Sequence, residues 1–223
     1  PNEILDKEIK EITDLGVKIF CGQKLGDGID YRNINLDYDA TVLTVGSQLG
    51  TRLGCKGDDA DGVMPGIYFL RDMELTGIKP NLADKAVIVV GGGNTAMDCC
   101  RTAVRCNAES VKVVYRRSEA EMPANYIEIE ESKAEGVEYL FLTNPVEVIK
   151  NENGFVTELV LQRMSLGEPD ASGRRRPVEI PGSEFRIKAD LVLAAIGQKT
   201  DTSFLENINS CFTINYLISQ SFI

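Results

Sequence analysis

One segment of the chain, residues 86–106, constrains the fold more than any other. It opens with the unbroken apolar run Ala86–Val90, typical of a strand buried on both faces of a parallel sheet, and three glycines follow at once. Apolar residues then recur at helical spacing opposite a charged stripe, which predicts a helix near 94–106. A further apolar run at 111–115 predicts the next strand. These elements form one βαβ unit of about 30 residues, so an α/β protein with a Rossmann-type domain is predicted.

The glycine turn inside this unit has the composition of a dinucleotide site. Gly91 permits a tight turn, Gly93 lets the main chain approach a pyrophosphate, and Ala96 keeps the helix close to its strand. The helix N-terminus offers unpaired N–H groups and the positive end of its dipole, and Asn94 and Thr95 add polar side chains. A plain glycine loop is the alternative, but the preceding strand and the following helix favour dinucleotide binding.

The residues after the second strand of the unit indicate which dinucleotide is bound. NAD sites place a carboxylate there for the ribose, whereas NADP sites place arginine for the 2′-phosphate. This chain has Arg116 and Arg117, whose guanidinium groups make charge-assisted bonds to phosphate. NADPH is therefore the predicted coenzyme, with a solvated arginine pair as the alternative.

Composition narrows the possible partners and chemistry. The net charge of −10 disfavours nucleic acid and anionic membranes. No apolar run approaches the about 20 residues of a membrane helix, and no signal peptide opens the chain, so a cytoplasmic protein is expected. Six cysteines without a CxxC pair predict no metal site. Because histidine is absent, no catalytic acid or base is predicted, and the chemistry is assigned to a cofactor.

Hydrophobic patterns predict further elements on both sides of the βαβ unit. The predicted helices are 2–15 and 125–135, and the predicted strands are 17–20, 40–45, 137–142, 146–150, 155–163, 184–188 and 191–195. A hairpin is predicted around Asn153 and Gly154.

Three features admit more than one interpretation. The adjacent Cys99 and Cys100 suggest a redox pair, but neighbouring helical residues point about 100° apart, which favours core packing. The arginines at 174–176 are interpreted as a solvated turn rather than a site for a phosphate or an acidic partner. Asp98 either shapes the cofactor site or pairs with Arg101.

Several of these motifs resemble one known family. The resemblance is carried by residues 38–46, 90–98, 101–103, 115–117, 121–124, 173–185 and 189–198. They are similar to the small subunit of NADPH-dependent glutamate synthase and to related flavoproteins, including the electron-input half of dihydropyrimidine dehydrogenase. The likeness spans most of residues 3–206, and the tail 207–223 does not share it.

The resemblance implies a flavoprotein with two dinucleotide-binding domains. An NADPH domain at 81–189 would be inserted in an incomplete FAD domain formed by 1–80 and 190–223. The crossovers would lie at 45–46 and 196–197, and the nicotinamide near Ala195, Ile196 and Gly197. The family's two FAD motifs are not present in these residues.

Two functions follow as expectations. In the first, the chain is the NADPH-binding part of an oxidoreductase that passes hydride to FAD, and electrons continue to iron–sulfur clusters of a partner subunit or domain. In the second, it is a non-catalytic nucleotide-binding or subunit-interaction module.

Overall fold

The computed structural model describes residues 2–30, 33–34, 37–171 and 173–203, which divide into two compact units. The smaller unit contains residues 2–45 and 201–203 of this described part. It holds helix α1 (Asn2–Asp14) and two short parallel strands, β1 (Lys24–Leu25) and β2 (Gly28–Ile29). The helix predicted at 2–15 is confirmed, and the tail 207–223 lies outside the described residues.

Two strands predicted in the smaller unit are wrong. Residues 17–20 and 40–45 have no strand conformation, and most of their apolar side chains are exposed, Val42 by 83%. An apolar β-branched run becomes a strand only where a neighbour supplies backbone hydrogen bonds. Neither run pairs with another strand within the described residues.

The larger unit, Gly46–Thr200, contains the predicted βαβ unit at its centre. Its elements in chain order are β3 (Leu49–Gly50), β4 (Val63–Pro65), α2 (Gly66–Thr76), β5 (Ala86–Val90), α3 (Asn94–Arg105), β6 (Ser110–Val114), α4 (Tyr126–Ala134), β7 (Glu138–Leu140), β8 (Thr143–Lys150), β9 (Val156–Pro169), β10 (Arg175–Glu179), β11 (Phe185–Lys188), β12 (Leu191–Ala194) and β13 (Gln198–Lys199). The strand–helix–strand prediction for 86–115 is confirmed.

A five-stranded parallel sheet in the order β4-β12-β5-β6-β7 forms the middle layer of this unit. Alternate residues of β5 point to opposite faces. Val87 and Val89 pack with α2, α3 and α4, while Ile88 and Val90 pack with an antiparallel sheet of β8, β9 and β11. Every residue of β5 is buried, which explains its unbroken apolar sequence.

The antiparallel sheet corrects one prediction and extends another. The hairpin around Asn153 and Gly154 is confirmed as β8–β9, but β9 continues to Pro169 and pairs there with β10. Arg175 and Arg176 therefore lie in a strand, although a turn was predicted at 174–176. Both side chains are exposed, as predicted, and the Arg175 guanidinium donates to the Gly167 and Leu166 carbonyls.

The larger unit, Gly46–Thr200, extends on both sides of residues 81–189, the predicted NADPH domain. Strand β4 pairs with β12, and β12 pairs with β5, so residues on both sides of the predicted limits join the central sheet. The sequence near a domain boundary does not indicate such pairing, because the paired strands are distant from each other along the chain. No described helix has the length and apolar character needed to cross a bilayer.

Candidate functional site

The glycine turn lies where β5 ends, directly beside the end of β12. Gly91 has φ +145°, and a Cβ added there would lie 2.2 Å from the Ala195 carbonyl oxygen. Both backbones are fixed, because the Gly91 amide donates to Val114 and the Ala195 amide donates to Val90. Only glycine fits this conformation and this space.

The N-terminus of α3 follows the turn. Gly93 is the N-cap residue, with φ −96° and ψ 178°, and no side chain caps the amides of the first turn. The Ala96 amide donates to the Gly93 carbonyl at 2.9 Å, and the amides of Asn94 and Thr95 precede it at the positive end of the helix dipole, which suits an anionic group. Any residue can adopt the Gly93 conformation, so a ligand is the factor that would require glycine there. Ala96 is fully buried and packs between α3 and the sheet.

The polar side chains of the first turn of α3 bind neighbouring segments. The Asn94 Oδ1 atom accepts the Asn125 amide at 2.9 Å. The Thr95 Oγ1 atom lies 3.5 Å from Gln198 Nε2, which belongs to β13. Asn94 thus supports the turn through residue 125, and its predicted direct role on the phosphates stays a prediction.

Sequence reasoning missed the support that residues 121–125 give to the glycine turn. A Cβ on Gly92 would lie 2.5 Å from the Tyr115 ring, whose hydroxyl donates to the Glu121 carbonyl. The Ala124 amide donates to the Gly92 carbonyl at 3.1 Å. The family likeness at 121–124 was the available signal, because those residues have no chemistry that would mark them.

The two arginines after β6 differ sharply in their surroundings. Arg116 is exposed, and no hydrogen bond or ion pair joins it to another residue of the described ranges. The Arg117 side chain is only 6% exposed; its Nε donates to the Arg175 carbonyl and its Nη2 to Asp170 Oδ2, both at 2.7 Å. The structure therefore leaves one guanidinium open to solvent and closes the other under the β9–β10 hairpin.

The predicted nicotinamide segment lies next to the glycine turn. Ala195 contacts Gly91, Ile196 is 44% exposed, and Gly197 has φ +128°. The Gly197 carbonyl accepts the Thr51 amide at 3.1 Å, and β13 pairs antiparallel with β3. Residues 49–51, shortly after the first predicted crossover, therefore pair with residues 197–199, at the second.

The cysteine pair resolves as structural, whereas the predicted pairing of Asp98 with Arg101 is not found over the described ranges. Cys99 and Cys100 are both fully buried, which confirms core packing. The Arg101 guanidinium bonds Glu131 and Glu135 at 2.8 Å, and within the described part of the chain it forms no ion pair with Asp98. No group of three or more metal-ligating side chains is found among the described residues.

The buried thiols are expected to resist alkylation in the folded protein. Burial raises the pKa of Cys100 to about 12 and raises that of Cys99 as well, so neither forms an appreciable thiolate at pH 8. Maleimide labelling followed by peptide mass spectrometry should modify the exposed Cys21 within minutes and leave Cys99 and Cys100 unmodified. Denatured protein is the control. Rapid native labelling at Cys99 or Cys100 would contradict core packing.

Comparison with known proteins identifies the family of the chain. A sequence model of the family described as "pyridine nucleotide-disulphide oxidoreductase" matches residues 4–216. The chain is 46% identical over 208 residues to the NADP(+)-dependent formate dehydrogenase subunit beta of Moorella thermoacetica, covering 92% of this chain and 29% of that protein. It is 37% identical over 204 residues to the glutamate synthase [NADPH] small chain of Escherichia coli, covering 87% and 43%.

Among solved structures, FprA of Mycobacterium tuberculosis in complex with NADPH superposes with a TM-score of 0.66 at 20% identity, covering 78% of this chain and 53% of that one. This likeness supports the fold alone. The chain spans less than half the length of the two curated relatives, 29% and 43%. The resemblance to the glutamate synthase small subunit and the two-dinucleotide-binding fold class are both confirmed.

Proposed function

This chain belongs to the pyridine nucleotide-disulphide oxidoreductase family, and from that premise we propose that it is the NADPH-binding part of a flavin-dependent oxidoreductase. The observation that carries the proposal is the uncapped N-terminus of α3 at the glycine turn, followed after β6 by the exposed Arg116. Relatives named for NADPH or NADP(+) support the choice of coenzyme.

The residues present fit a dinucleotide. The amides at the start of α3 would bind the pyrophosphate, and Gly93 would leave it room to approach. Arg116 and Arg117 would bind the 2′-phosphate, and the backbone of Ala195, Ile196 and Gly197 would hold the nicotinamide beside the turn. When bound, NADPH supplies a hydride for the flavin, while the protein supplies position and electrostatics.

We assign FAD to the intact protein rather than to these residues alone. The described part of the chain holds a single strand–glycine turn–helix, and that turn is used for NADPH. Support for a second domain comes from the ends of the larger unit, since Ser47 Oγ lies 3.3 Å from Thr200 Oγ1. A domain inserted in another requires its two ends to adjoin in this way.

The proposal extends to partners and location. The relatives are named as a subunit beta and a small chain, which supports a partner subunit for the protein that carries this chain. We propose that iron–sulfur clusters of that partner receive the electrons from FAD and that the assembly is cytoplasmic. The competing function is a non-catalytic nucleotide-binding or subunit-interaction module.

Anaerobic titration of the purified protein with NADPH separates these functions. We expect NADPH to bleach the flavin absorbance almost to the level of a fully reduced flavoprotein. NADH should reduce the flavin far less effectively. Binding of both nucleotides should be measured in parallel by calorimetry. NADPH binding without flavin bleaching would favour the non-catalytic module, and failure of NADPH to bind would overturn the proposed site itself.

A further inference from the structure

The tip of the β9–β10 hairpin, described for residues 167–171 and 173–175, closes over one of the two arginines proposed to bind the 2′-phosphate. The Asp170 carboxylate and the Arg175 carbonyl each accept one hydrogen bond from Arg117. The tip itself is a tight turn, because the Asp170 amide donates to the Arg174 carbonyl and the Gly173 amide to the Asp170 carbonyl. The Arg117–Asp170 ion pair thus ties the hairpin tip to the segment that follows β6.

This ion pair is largely removed from solvent. The exposed fractions of the side chains are 6% for Arg117 and 25% for Asp170. A guanidinium so covered cannot receive a bulky dianion while the tip stays in place. Arg116, the preceding residue, is exposed and has no such partner in the described ranges.

The Asp170 carboxylate and a nucleotide 2′-phosphate bind arginine through the same kind of hydrogen bond. Carboxylate and phosphate oxygens both accept short, charge-assisted bonds from the planar guanidinium fork. A phosphate dianion carries more charge than a carboxylate, and here it would also contact Arg116. A nucleotide with a 2′-phosphate therefore has the means to take the place of Asp170, whereas a nucleotide with a 2′-hydroxyl does not.

We propose that Asp170 and the 2′-phosphate of NADPH compete for the Arg117 guanidinium, which makes Asp170 a specificity-determining residue. This inference depends on the proposed NADPH site. NADPH binding exchanges the carboxylate for the phosphate and releases the hairpin tip from Arg117. NADH leaves the ion pair intact, because it offers Arg117 no anion in exchange.

Asp170→Asn tests the competition with little risk to the fold. The variant removes the charge and keeps the side-chain shape, and the turn is held by backbone bonds that do not change. We expect NADPH to bind about 5- to 10-fold more tightly and NADH to bind with unchanged affinity. Glu158→Gln is the matched control: it removes one negative charge from the same sheet, where Glu158 pairs with Arg186, and should change neither affinity.

A double-mutant cycle with Arg117→Ala separates exchange from simple repulsion. If Asp170 acts through Arg117, the gain from Asp170→Asn disappears when Arg117 is alanine. If Asp170 only repels the phosphate through space, the gain persists, and the proposed exchange is wrong. Weaker or unchanged NADPH binding by Asp170→Asn in the wild-type background would also overturn it.

Hydrogen exchange of the hairpin tip gives a second readout that a purely structural ion pair would not move. We expect NADPH to increase hydrogen exchange of amides in 167–171 and 173–175 and NADH to leave it unchanged. Equal effects of the two nucleotides would contradict the proposed competition for Arg117. The outcomes are distinct from those of the proposed function. If the wild-type protein fails to bind NADPH, both the proposed function and this inference are wrong. If the wild type binds NADPH and Asp170→Asn leaves the affinity unchanged, only this inference is wrong.

Discussion

Replacing Gly91 with alanine is expected to destabilise the protein and to remove measurable NADPH binding. The new Cβ would lie 2.2 Å from the Ala195 carbonyl oxygen, and the residue would keep φ +145°. Both neighbouring strands are held in the central sheet, so the clash is relieved only by breaking the contact between β5 and β12. We expect a loss of about 3 kcal/mol in unfolding free energy.

Thermal unfolding and calorimetric titration measure the two effects. The melting temperature should fall by about 6–12 °C, given a loss of that size in a domain of this length. Gly77→Ala is the matched control, because Gly77 also has positive φ but nothing lies within 4 Å of the added Cβ. It should cost about 1 kcal/mol and leave NADPH binding intact. Similar NADPH affinity in Gly91→Ala and wild type would refute the proposed turn.

Removing the Arg116 guanidinium should weaken NADPH binding by about 10- to 100-fold, since charge-assisted bonds to a dianion are the strong class of hydrogen bond. NADH binding should stay within about twofold of wild type, because no phosphate is present to lose its partner. The fold should be unaffected, as Arg116 is exposed and forms no bond in the described part of the chain.

Paired titrations of Arg116→Ala with NADPH and NADH provide the measurement. Arg176→Ala removes an equal charge from another exposed position, on β10, and should leave both affinities near wild type. Equal losses for the two nucleotides would show that Arg116 does not recognise the 2′-phosphate. Arg117→Ala is a poorer test of recognition, because it also breaks the buried bond to Asp170.

The parts of the fold that could be predicted from sequence are those whose signal is local. Strand β5 is buried on both faces and α3 has one apolar face, so the hydrophobic pattern of each segment predicts its burial. The run at 40–45 has the composition of β5, yet it is exposed, because a strand depends on a partner that the run itself does not encode. Strand β10 was missed because its arginines indicated a solvated turn; Arg175 and Arg176 are indeed exposed, but their backbone belongs to a strand that pairs with β9.

The candidate site shows the same division. The turn at 91–96 was predictable because glycine and a helix N-terminus are properties of adjacent residues. The unequal environments of Arg116 and Arg117 were not, since Asp170 lies more than fifty positions away in sequence and meets Arg117 only through the hairpin. Support of Gly92 by Tyr115 and Ala124 likewise depends on tertiary packing.

The short ladder between β3 and β13 has a consequence for how such proteins diversify. Because residues near both ends of the larger unit lie side by side, two recombination joins near residues 46 and 200 would transfer the proposed coenzyme-binding unit as a single segment. Under the proposed function, such a transfer would carry the preference for one pyridine nucleotide into a related protein.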